Sequence, residues 1–415
     1  MSSFPPPRPH ALRVLIVVPP LAGHVHPTLG LARELRLRGH QVAWAGSELS
    51  LRPMLGPDAV IHPTGTRVLR EQGGSGLAAV RSLWEGFIVP YARFTRRALD
   101  RIVHEQRPDL VLVDQHTPAG ALAAHRHGAR WASLAPSSME IGRPLRDHPE
   151  LEAWQLDLLR LLWREAGLPE DEFVDPRFSP ELLLALSSRA LTGATAFPDH
   201  YALVGPVLTA RPGAPDFPWQ RLDPDRRHVL VTLGTLAADV AGDFHLRAVR
   251  ALGPLADRVQ GIVAAPPAVL AGIPEEALAG GLLALSEVPV LELLGRGLLD
   301  AVVSHGGMNT VCETLAHGLP LVLAPIRHDQ PITAGQVVAA GAGLRVDFAG
   351  ATPEQLRSAL TTVLDDPSYR AAAQRVRSCF LAEGGARTAV DRIEQCFTGP
   401  GRAGADVVQT IAADR

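Results

Sequence analysis

The chain has 415 residues, of which 46% are hydrophobic, which is enough for two or three ordinary domains with a large core. The formal net charge of −3 excludes the strongly basic surface that is typical of nucleic-acid-binding proteins, so no nucleic-acid partner is expected. The sequence contains no lysine, and all 40 basic residues are arginine, which excludes a Schiff-base lysine, a pyridoxal phosphate lysine and a P-loop lysine.

The cysteines and the N-terminus indicate a cytoplasmic protein. Cys312, Cys379 and Cys396 show no metal-type spacing, and their odd number is typical of free thiols in a reducing compartment. The N-terminal apolar run ends at Pro19-Pro20 without a cleavage region, which favours a buried first strand over a signal peptide. No stretch reaches about 18 uninterrupted apolar residues, so no transmembrane segment is expected.

The first half of the chain predicts alternating strands and helices. A strand at Arg13–Val18 is followed by a loop, "PPLAGHVHP", and by a helical pattern that ends at Gly39. The next strand, "QVAWAG", completes a βαβ unit with parallel strands. Further strands are predicted at Leu110–Val113 and in "ARWASLAP", and the span Leu151–Leu186 is rich in helix formers and predicts a helical excursion.

The stretch "YALVGPVLTARPGAPDFPW" is dense in proline and glycine and predicts the end of one domain followed by a linker. The pattern then restarts with "RRHVLVTLGTL", and "RVQGIVAA", "GLLALSEV", "LDAVVSHGG" and "LPLVLAP" supply more strands. We therefore expect an α/β protein with two doubly wound, Rossmann-like domains. The expected boundaries are an N-terminal domain at 1–210, a linker at 211–227, a second domain at 228–380, a C-terminal helix at 381–397 packing back toward the first domain, and a flexible tail at 398–415.

A glycine-rich turn follows the predicted strand "LDAVVS". Ligands of open α/β sheets bind at the carboxyl ends of strands. Gly306 and Gly307 allow the backbone to turn tightly, and Asn309 or Thr310 then starts a helix whose free N–H groups and positive dipole end favour an anion. His305 adds a side-chain donor. Asn309 is also the only asparagine of the chain.

Two carboxylates near this turn are suited to sugar hydroxyls. Glu313 lies one turn into the helix, on the face of Asn309, where it would repel a phosphate but accept from ribose. Asp329 and Gln330 follow the next strand, and an acid beside an amide offers both acceptors and donors. Together these residues predict a cradle for a nucleotide diphosphate and its sugar. A simple capped turn and a helix-capping aspartate remain the alternatives.

The run "SHGGMNTVCETLAHGLPLVLAPIRHDQPITAGQVVAAGAGLRV" resembles the donor motif of family 1 glycosyltransferases with the GT-B fold, which reads H-x-G-x-N-T/S-x-x-E, then G-x-P, then P-x-x-x-D-Q. "VVPPLAGHVHPTLGLARELRLRGHQV" resembles the opening of the family, "LVLVDQ" its second acceptor-domain site, "LVGP" its domain boundary and "VLVTLGTL" the first strand of its donor domain. The most similar members are bacterial transferases of UDP- or TDP-sugars to natural products of macrolide, polyketide and carotenoid type. The resemblance implies two Rossmann-like domains that face each other across a cleft.

The resemblance also implies a role for each matching residue. Those expected at the donor diphosphate are Thr235, His305, Gly306, Gly307, Asn309 and Thr310. Glu313 would bind the ribose, and Asp329 and Gln330 the transferred sugar. The chain departs from the family in "LSEVPVLELL", which lacks the usual aromatic residue and glutamine, so base binding falls to the backbone of Val288 and the choice between uridine and thymidine stays open.

His24 is expected to be the catalytic base. An acceptor hydroxyl must lose its proton as it attacks the anomeric carbon, and a histidine after the first strand suits that task. Asp114 ends a strand on the same sheet edge and is expected to orient the imidazole, and the family gives both residues these parts. Taken alone, each has a capping or packing role as its alternative. His26 and His116 are the nearest competitors, and His26 is interpreted as facing solvent or lining the acceptor pocket.

The acceptor side is less distinct in the sequence. Trp84, Phe87, Tyr91 and Phe94 recur at helical spacing, and Met139 lies in a second apolar stretch. Trp84, Phe87 and Met139 are the candidate walls of an apolar acceptor pocket, while a place in the core is the alternative for most of this set.

These observations predict an inverting, metal-independent glycosyltransferase. It would move a sugar from a UDP- or TDP-sugar to a hydroxyl of a lipophilic small molecule such as a natural-product aglycone. No metal and no other cofactor is expected, because the nucleotide sugar is a co-substrate, and the chain is expected to be a monomer or a homodimer. The alternatives are a nucleotide-sugar epimerase of the same architecture and a non-catalytic auxiliary partner of another glycosyltransferase.

Overall fold

The structure is a computed structural model that describes residues 11–66, 76–142, 145, 147–193, 196–234 and 242–398. Thr235, which was expected at the donor diphosphate, lies outside the described residues. The predicted tail at 398–415 also lies outside them, except for Thr398.

The first sheet is built from the N-terminal half of the chain. Its strands are β1 (Arg13–Val17), β2 (Gln41–Gly46), β3 (Ile61–Pro63), β4 (Leu110–Asp114), β5 (Trp131–Ala135), β6 (Leu183–Ala185) and β7 (Tyr201–Leu203). They are all parallel and lie in the order β3-β2-β1-β4-β5-β6-β7. The strand order therefore reverses between β1 and β4, and ligands bind in the crevice at such a switch point.

The second sheet repeats this topology. Its strands are β8 (Arg227–Thr232), β9 (Val259–Ala264), β10 (Leu283–Leu285), β11 (Ala301–Ser304), β12 (Leu321–Leu323) and β13 (Gly343–Arg345). They are parallel and lie in the order β10-β9-β8-β11-β12-β13, so a second switch point lies between β8 and β11. The central strands β11 and β12 are fully buried because helices cover both faces of a parallel sheet.

Helices connect the strands of both sheets. In the first half they are α1 (Ala22–Leu37), α2 (Glu48–Leu55), α3 (Gly76–Leu83), α4 (Val89–Gln106), α5 (Pro118–Arg126), α6 (Pro149–Glu165) and α7 (Arg189–Thr192), with a π-helical turn at Trp84–Ile88. In the second half they are α8 (Gly242–Leu252), α9 (Pro267–Leu270), α10 (Glu275–Ala279), α11 (Val290–Gly295), α12 (Met308–Ala316), α13 (Gln330–Ala339), α14 (Pro353–Asp365), α15 (Pro367–Glu383) and α16 (Ala386–Phe397).

The last helix, α16, packs against the first domain and not against the second sheet. Its apolar face, which includes Ile393 and Phe397, is buried in the same cluster as the core side chains of β1 and β4. Arg38, at the end of α1, holds the helix by ion pairs to Asp391 at 2.5 Å and to Glu394 at 2.9 Å. The chain therefore returns to its first domain after the second is complete.

The structure differs from two sequence expectations. Helix α1 begins at Ala22, so His24 lies in its first turn and not in a loop, because Pro27 removes only one backbone hydrogen bond of the helix. The span Leu151–Leu186 is not helical throughout: α6 ends at Glu165, and β6 extends the sheet near the end of the span. In the described ranges, no helix combines the length and the apolar character that crossing a bilayer requires.

Candidate active site

The first switch point holds a histidine–carboxylate pair. His24 lies in the first turn of α1, directly after β1, and Asp114 is the last residue of β4. The parallel pairing of Val17 with Val113 brings these two chain ends together. Asp114 is fully buried, and its Oδ2 lies 2.8 Å from Nδ1 of His24. Its Oδ1 accepts a hydrogen bond from the backbone N–H of His116 at 2.8 Å, so the carboxylate is fixed on both sides.

This pairing changes the pKa of His24. Burial alone lowers the pKa, but the charge of Asp114, its hydrogen bond and the charge of Asp329 together raise it above the usual value. Asp329 belongs to the second domain and begins the helix after β12, so a carboxylate of that domain acts on His24 of the first. A carboxylate bound to Nδ1 leaves Nε2 as the ring nitrogen available to take a proton.

His116 lies beside this pair, with its ring centroid 4.6 Å from that of His24. Burial, followed by the charge of His24, lowers the pKa of His116 to about 3, so the ring is neutral at pH 7. Nitrogen and oxygen atoms of His24, Asp114 and His116 lie within 4.8 Å of one another and are ligand types that zinc accepts. Within the described ranges this is the group that could hold a metal ion.

His26, the other competitor for the base, lies two residues after His24 on α1. Burial, followed by the charge of Arg211, lowers the pKa of His26 to about 4. The side chain is half-buried on the first turns of α1. The charge of Arg211 opposes protonation of His26, whereas Asp114 favours protonation of His24, so His26 is the weaker base.

The second switch point holds the glycine-rich turn between β11 and α12. Gly306 has a φ of +83°, in the left-handed region that glycine adopts without strain. The imidazole of His305 is enclosed by two further glycines: a Cβ at Gly234 would lie 2.8 Å from its Cε1, and one at Gly307 would lie 2.5 Å from its Nε2. The glycines of the turn are therefore needed to seat the ring of His305.

The start of α12 has the properties of an anion site. Its N-cap is Gly307, no side chain caps it, and the first turn carries no acidic residue. Asn309 and Thr310 lie in this turn and are half-buried, and the helix begins one residue before Asn309, at Met308, without the side-chain cap that a simple capped turn would have. Burial lowers the pKa of His305 to about 4, so at neutral pH this side chain offers a neutral N–H and no formal charge.

Asp329 and Gln330 begin α13 at the same sheet edge. Asp329 makes no capping hydrogen bond to the helix, so its carboxylate is not used as a cap. Burial raises the pKa of Asp329, although the charges of His24 and His328 oppose this. Oε1 of Gln330 accepts hydrogen bonds from the N–H groups of Ile326 and Arg327 at 2.9 and 3.0 Å, which leaves its amide N–H groups as the part that could meet a sugar.

Glu313 has a partner that the sequence did not suggest. Its buried side chain forms an ion pair with Arg211, which lies in the predicted linker, through Nη2 and Oε1. A carboxylate that was expected to bind ribose is therefore already in contact with a cation. No local pattern in the sequence around Arg211 indicates this contact, because the two residues are 102 positions apart.

The remaining expected residues lie in apolar surroundings. Val288 is half-buried, and its carbonyl accepts a hydrogen bond from the N–H of Val290 at 2.9 Å. Trp84, Phe87 and Met139 are at least 96% buried within one core cluster of the first domain. The structure thus places these three side chains in the core, which was the alternative to a pocket wall.

Comparison with known proteins identifies the fold and the class of enzyme. Residues 262–395 match the family described as Erythromycin biosynthesis protein CIII-like, C-terminal domain. 4'-demethylrebeccamycin synthase from Lentzea aerocolonigenes is 28% identical, covering 89% of this chain and 96% of that protein. The NDP-glycosyltransferase YjiC from Bacillus subtilis is 27% identical, covering 88% and 93%.

A solved structure of the glycotransferase of kitacinnamycin superposes with a TM-score of 0.74 at 25% identity, covering 94% of this chain and 100% of that one. The chain is a glycosyltransferase with the GT-B fold. The glycosyltransferase also shares its fold with spinosyn rhamnosyltransferase SpnG complexed with thymidine diphosphate, with a TM-score of 0.73 at 22% identity, covering 92% of this chain and 100% of that one. The resemblance found in the motifs and the two parallel-sheet domains are confirmed.

Proposed function

We propose that this glycosyltransferase is an inverting, metal-independent enzyme. It transfers a sugar from a UDP- or TDP-sugar to a hydroxyl group of a lipophilic natural product. The observation that carries the proposal is the His24–Asp114 pair, 2.8 Å apart at the first switch point, in which the pKa of His24 is also raised by the charge of Asp329 of the second domain. A base and a sugar-binding acid that face one cleft are what direct transfer to an external hydroxyl requires.

In the proposed reaction, Nε2 of His24 removes the proton from the acceptor hydroxyl. The oxygen forms a bond to the anomeric carbon as the bond from that carbon to the diphosphate oxygen breaks. The nucleoside diphosphate leaves with the electron pair of that bond, and attack from the opposite face converts an α-linked donor into a β-glycoside. Asp114 holds the proton on Nδ1 of His24 and stabilises the imidazolium that forms.

The donor half of the proposal rests on the turn between β11 and α12. The free N–H groups at the start of the helix and the N–H of His305 would stabilise the charge that develops on the departing diphosphate. Asn309 and Thr310 lie in the same turn and would add side-chain donors. Asp329 and the amide group of Gln330 would bind hydroxyls of the transferred sugar, and Glu313 the ribose.

The relatives support the substrate classes. One is named as a rebeccamycin synthase, and a structure with the same fold contains thymidine diphosphate. These names support a nucleotide-diphosphate donor and a natural-product acceptor for this chain. The epimerase alternative needs no external base, and the auxiliary alternative needs no intact base, so both assign little importance to His24.

The test is the His24→Ala variant, assayed by mass spectrometry with a panel of nucleotide sugars and lipophilic aglycones. We expect the transfer rate to fall by about 10²- to 10⁴-fold, since this is the usual contribution of a general base. Nucleotide affinity, measured by calorimetry, should stay unchanged because His24 lies in the first domain. His125→Ala, at a half-exposed histidine on the far end of α5, serves as the matched control.

Full transfer activity in His24→Ala would overturn the proposed base. Consumption of the nucleotide sugar without any acceptor would instead favour the epimerase. Nucleotide binding without transfer to any member of the panel by the wild-type chain would favour the auxiliary function.

A further inference from the structure

The turn between β12 and α13 contains a residue in an uncommon backbone conformation. Of the residues that the structure describes, only Arg107 and His328 have a positive φ without being glycine, at 44° and 58°. This left-handed region is open to glycine at no steric cost but is strained for residues with a side chain. Arg107 ends α4, where a left-handed residue commonly closes a helix, whereas His328 directly precedes Asp329.

Hydrogen bonds hold the turn around His328 in this conformation. Oε1 of Gln330 accepts from the N–H groups of Ile326 and Arg327 at 2.9 and 3.0 Å, and the N–H of Gln330 donates to the carbonyl of Arg327 at 3.2 Å. A strained residue persists where its surroundings determine the backbone in this way, and such residues are concentrated at active sites and ligand clamps. Glycine would adopt the same turn at lower cost, so the stability of the turn does not account for a histidine at this position.

The charge of His328 acts on residues of both domains. Burial is the main cause of the low pKa of His116, about 3, and the charges of His24 and His328 lower it further. Burial raises the pKa of Asp329, and the charges of His24 and His328 oppose this effect. His328 is half-buried and thus shares two electrostatic neighbours, one in each domain, with the proposed base.

The location of His328 suits a hydroxyl group of the transferred sugar. It directly precedes Asp329 and Gln330, which are proposed to bind that sugar. Because Oε1 of Gln330 accepts two backbone hydrogen bonds, this side chain has its amide N–H groups to offer to a ligand. A neutral imidazole has one donor and one acceptor nitrogen, so it can donate to a hydroxyl group or accept from it.

We propose that His328 is a further substrate-contacting residue, whose imidazole forms a hydrogen bond to a hydroxyl group of the transferred sugar and is held there by the strained turn. The inference rests on the proposed binding of that sugar by Asp329 and Gln330. It assigns a function to one of the variable positions of the P-x-x-x-D-Q motif, and it requires a donor sugar with a hydroxyl group at this contact.

The test compares His328→Gly with Arg107→Gly, which removes the side chain of the other left-handed residue and is the matched control. Both substitutions relieve backbone strain, so neither should lower Tm. With the donor that the wild-type chain uses best, His328→Gly should lower kcat/KM for transfer about tenfold, because one hydrogen bond to the sugar is lost. Arg107 is exposed at the end of α4, so Arg107→Gly should keep the wild-type kcat/KM.

Calorimetric titration with UDP and TDP separates a contact to the sugar from a contact to the nucleotide. Neither nucleotide carries the transferred sugar, so His328→Gly should bind both with the affinity of the wild-type chain. His328→Asn tests for rescue, since asparagine tolerates the left-handed conformation and keeps an N–H donor. Its kcat/KM should lie between those of His328→Gly and the wild-type chain.

Three results would overturn this inference. They are a wild-type kcat/KM in His328→Gly, a loss of affinity for UDP and TDP as large as the loss in kcat/KM, and a Tm of His328→Gly well below that of the wild-type chain. The last result would show that the side chain supports the fold. The proposed function fails in a different way, because the wild-type chain would then transfer no sugar from any donor of the panel.

Discussion

Three histidines around the cleft differ in protonation because their neighbours differ. Burial dominates at His116 and His305 and lowers their pKa values to about 3 and about 4. Burial also opposes charging of His24, but Asp114 and Asp329 outweigh it and raise its pKa. One residue type thus supplies two neutral rings and one proton acceptor within the same cleft.

The raised pKa of His24 predicts the pH dependence of transfer. A general base acts in its deprotonated form, so kcat/KM should rise with pH through the pKa of His24, which lies above the usual 6.5. Asp114→Asn removes the charge that raises this pKa, so the acidic limb of the profile should move to lower pH. The maximal rate should fall as well, because an amide no longer stabilises the imidazolium. The measurement is kcat/KM against pH for both proteins.

The surface variant His125→Gln provides the control, and its profile should overlay that of the wild-type chain. An acidic limb that stays in place, or moves to higher pH, in Asp114→Asn would contradict the assigned pair. Asp329→Asn should move the limb in the same direction by a smaller amount, since Asp329 acts on His24 through charge alone.

At the scale of single elements, the turn between β11 and α12 leaves space for the ring of His305 only because its residues are small. Gly307 has a φ of −62°, which any residue adopts, so a side chain there is excluded by space and not by the backbone. A Cβ would lie 2.5 Å from Nε2 of His305 and would displace the imidazole from the start of the helix.

We therefore expect Gly307→Ala to weaken nucleotide diphosphate binding about tenfold or more, since overpacking of this kind typically costs about 1–3 kcal/mol. Calorimetric titration with UDP and TDP measures the effect. Gly335→Ala in α13 is the control, because a Cβ there has no neighbour within 4 Å, and it should leave the affinity unchanged. Wild-type affinity in Gly307→Ala would remove the assigned role of His305.

The local structure around this site could largely be predicted from the sequence. The strands β1, β2, β4 and β8 and the glycine turn were predictable because apolar runs, helical periodicity and Gly-Gly steps are short-range signals. The strands β3, β6 and β7, of which β3 and β7 lie at the edges of the sheet, were not predicted, because each has three residues and is stabilised by its neighbours in the sheet. The start of α1 was missed because Pro27 indicates a loop in isolation, although a helix tolerates it near its N-terminus.

Contacts between distant parts of the chain could be expected only in part. The proximity of His24 and Asp114 follows from the rule that parallel strand ends share an edge, even at 90 residues of separation. No such rule predicts the contact between Arg211 and Glu313, since the position of Arg211 depends on the path of the linker. The core location of Trp84 also depends on tertiary packing, because an aromatic residue at helical spacing suits a pocket wall equally well.

At the scale of the whole molecule, the two domains meet through both polar and apolar contacts. Oγ of Ser138 donates to Oε1 of Gln336 across the cleft at 2.9 Å, and Ile332 of the second domain packs against the core cluster of the first. On the far side, Oγ of Ser188 donates to Oε1 of Glu383 at 2.9 Å. A ligand that binds in the cleft should therefore raise the free energy of unfolding of both domains together.

This yields a test of the proposed metal independence. UDP or TDP at about 100 times its dissociation constant should stabilise the protein by about 2.7 kcal/mol, visible as a rise in Tm. The rise should be equal in EDTA and in Mg²⁺, because the diphosphate is proposed to meet helix N–H groups and His305. The protein without nucleotide, scanned in both buffers, is the control. A rise that disappears in EDTA would show that the donor is bound through a metal ion.

The return of α16 to the first domain has a consequence for the order of folding during synthesis. Arg38 meets Asp391 across 353 positions, and Ile393 and Phe397 fill part of the core around β1 and β4. The second domain is thus an insertion within the first. It is complete and free to fold on the ribosome while the first domain, though made earlier, still has an apolar groove open. We therefore expect the first domain, although it is translated first, to complete its core last.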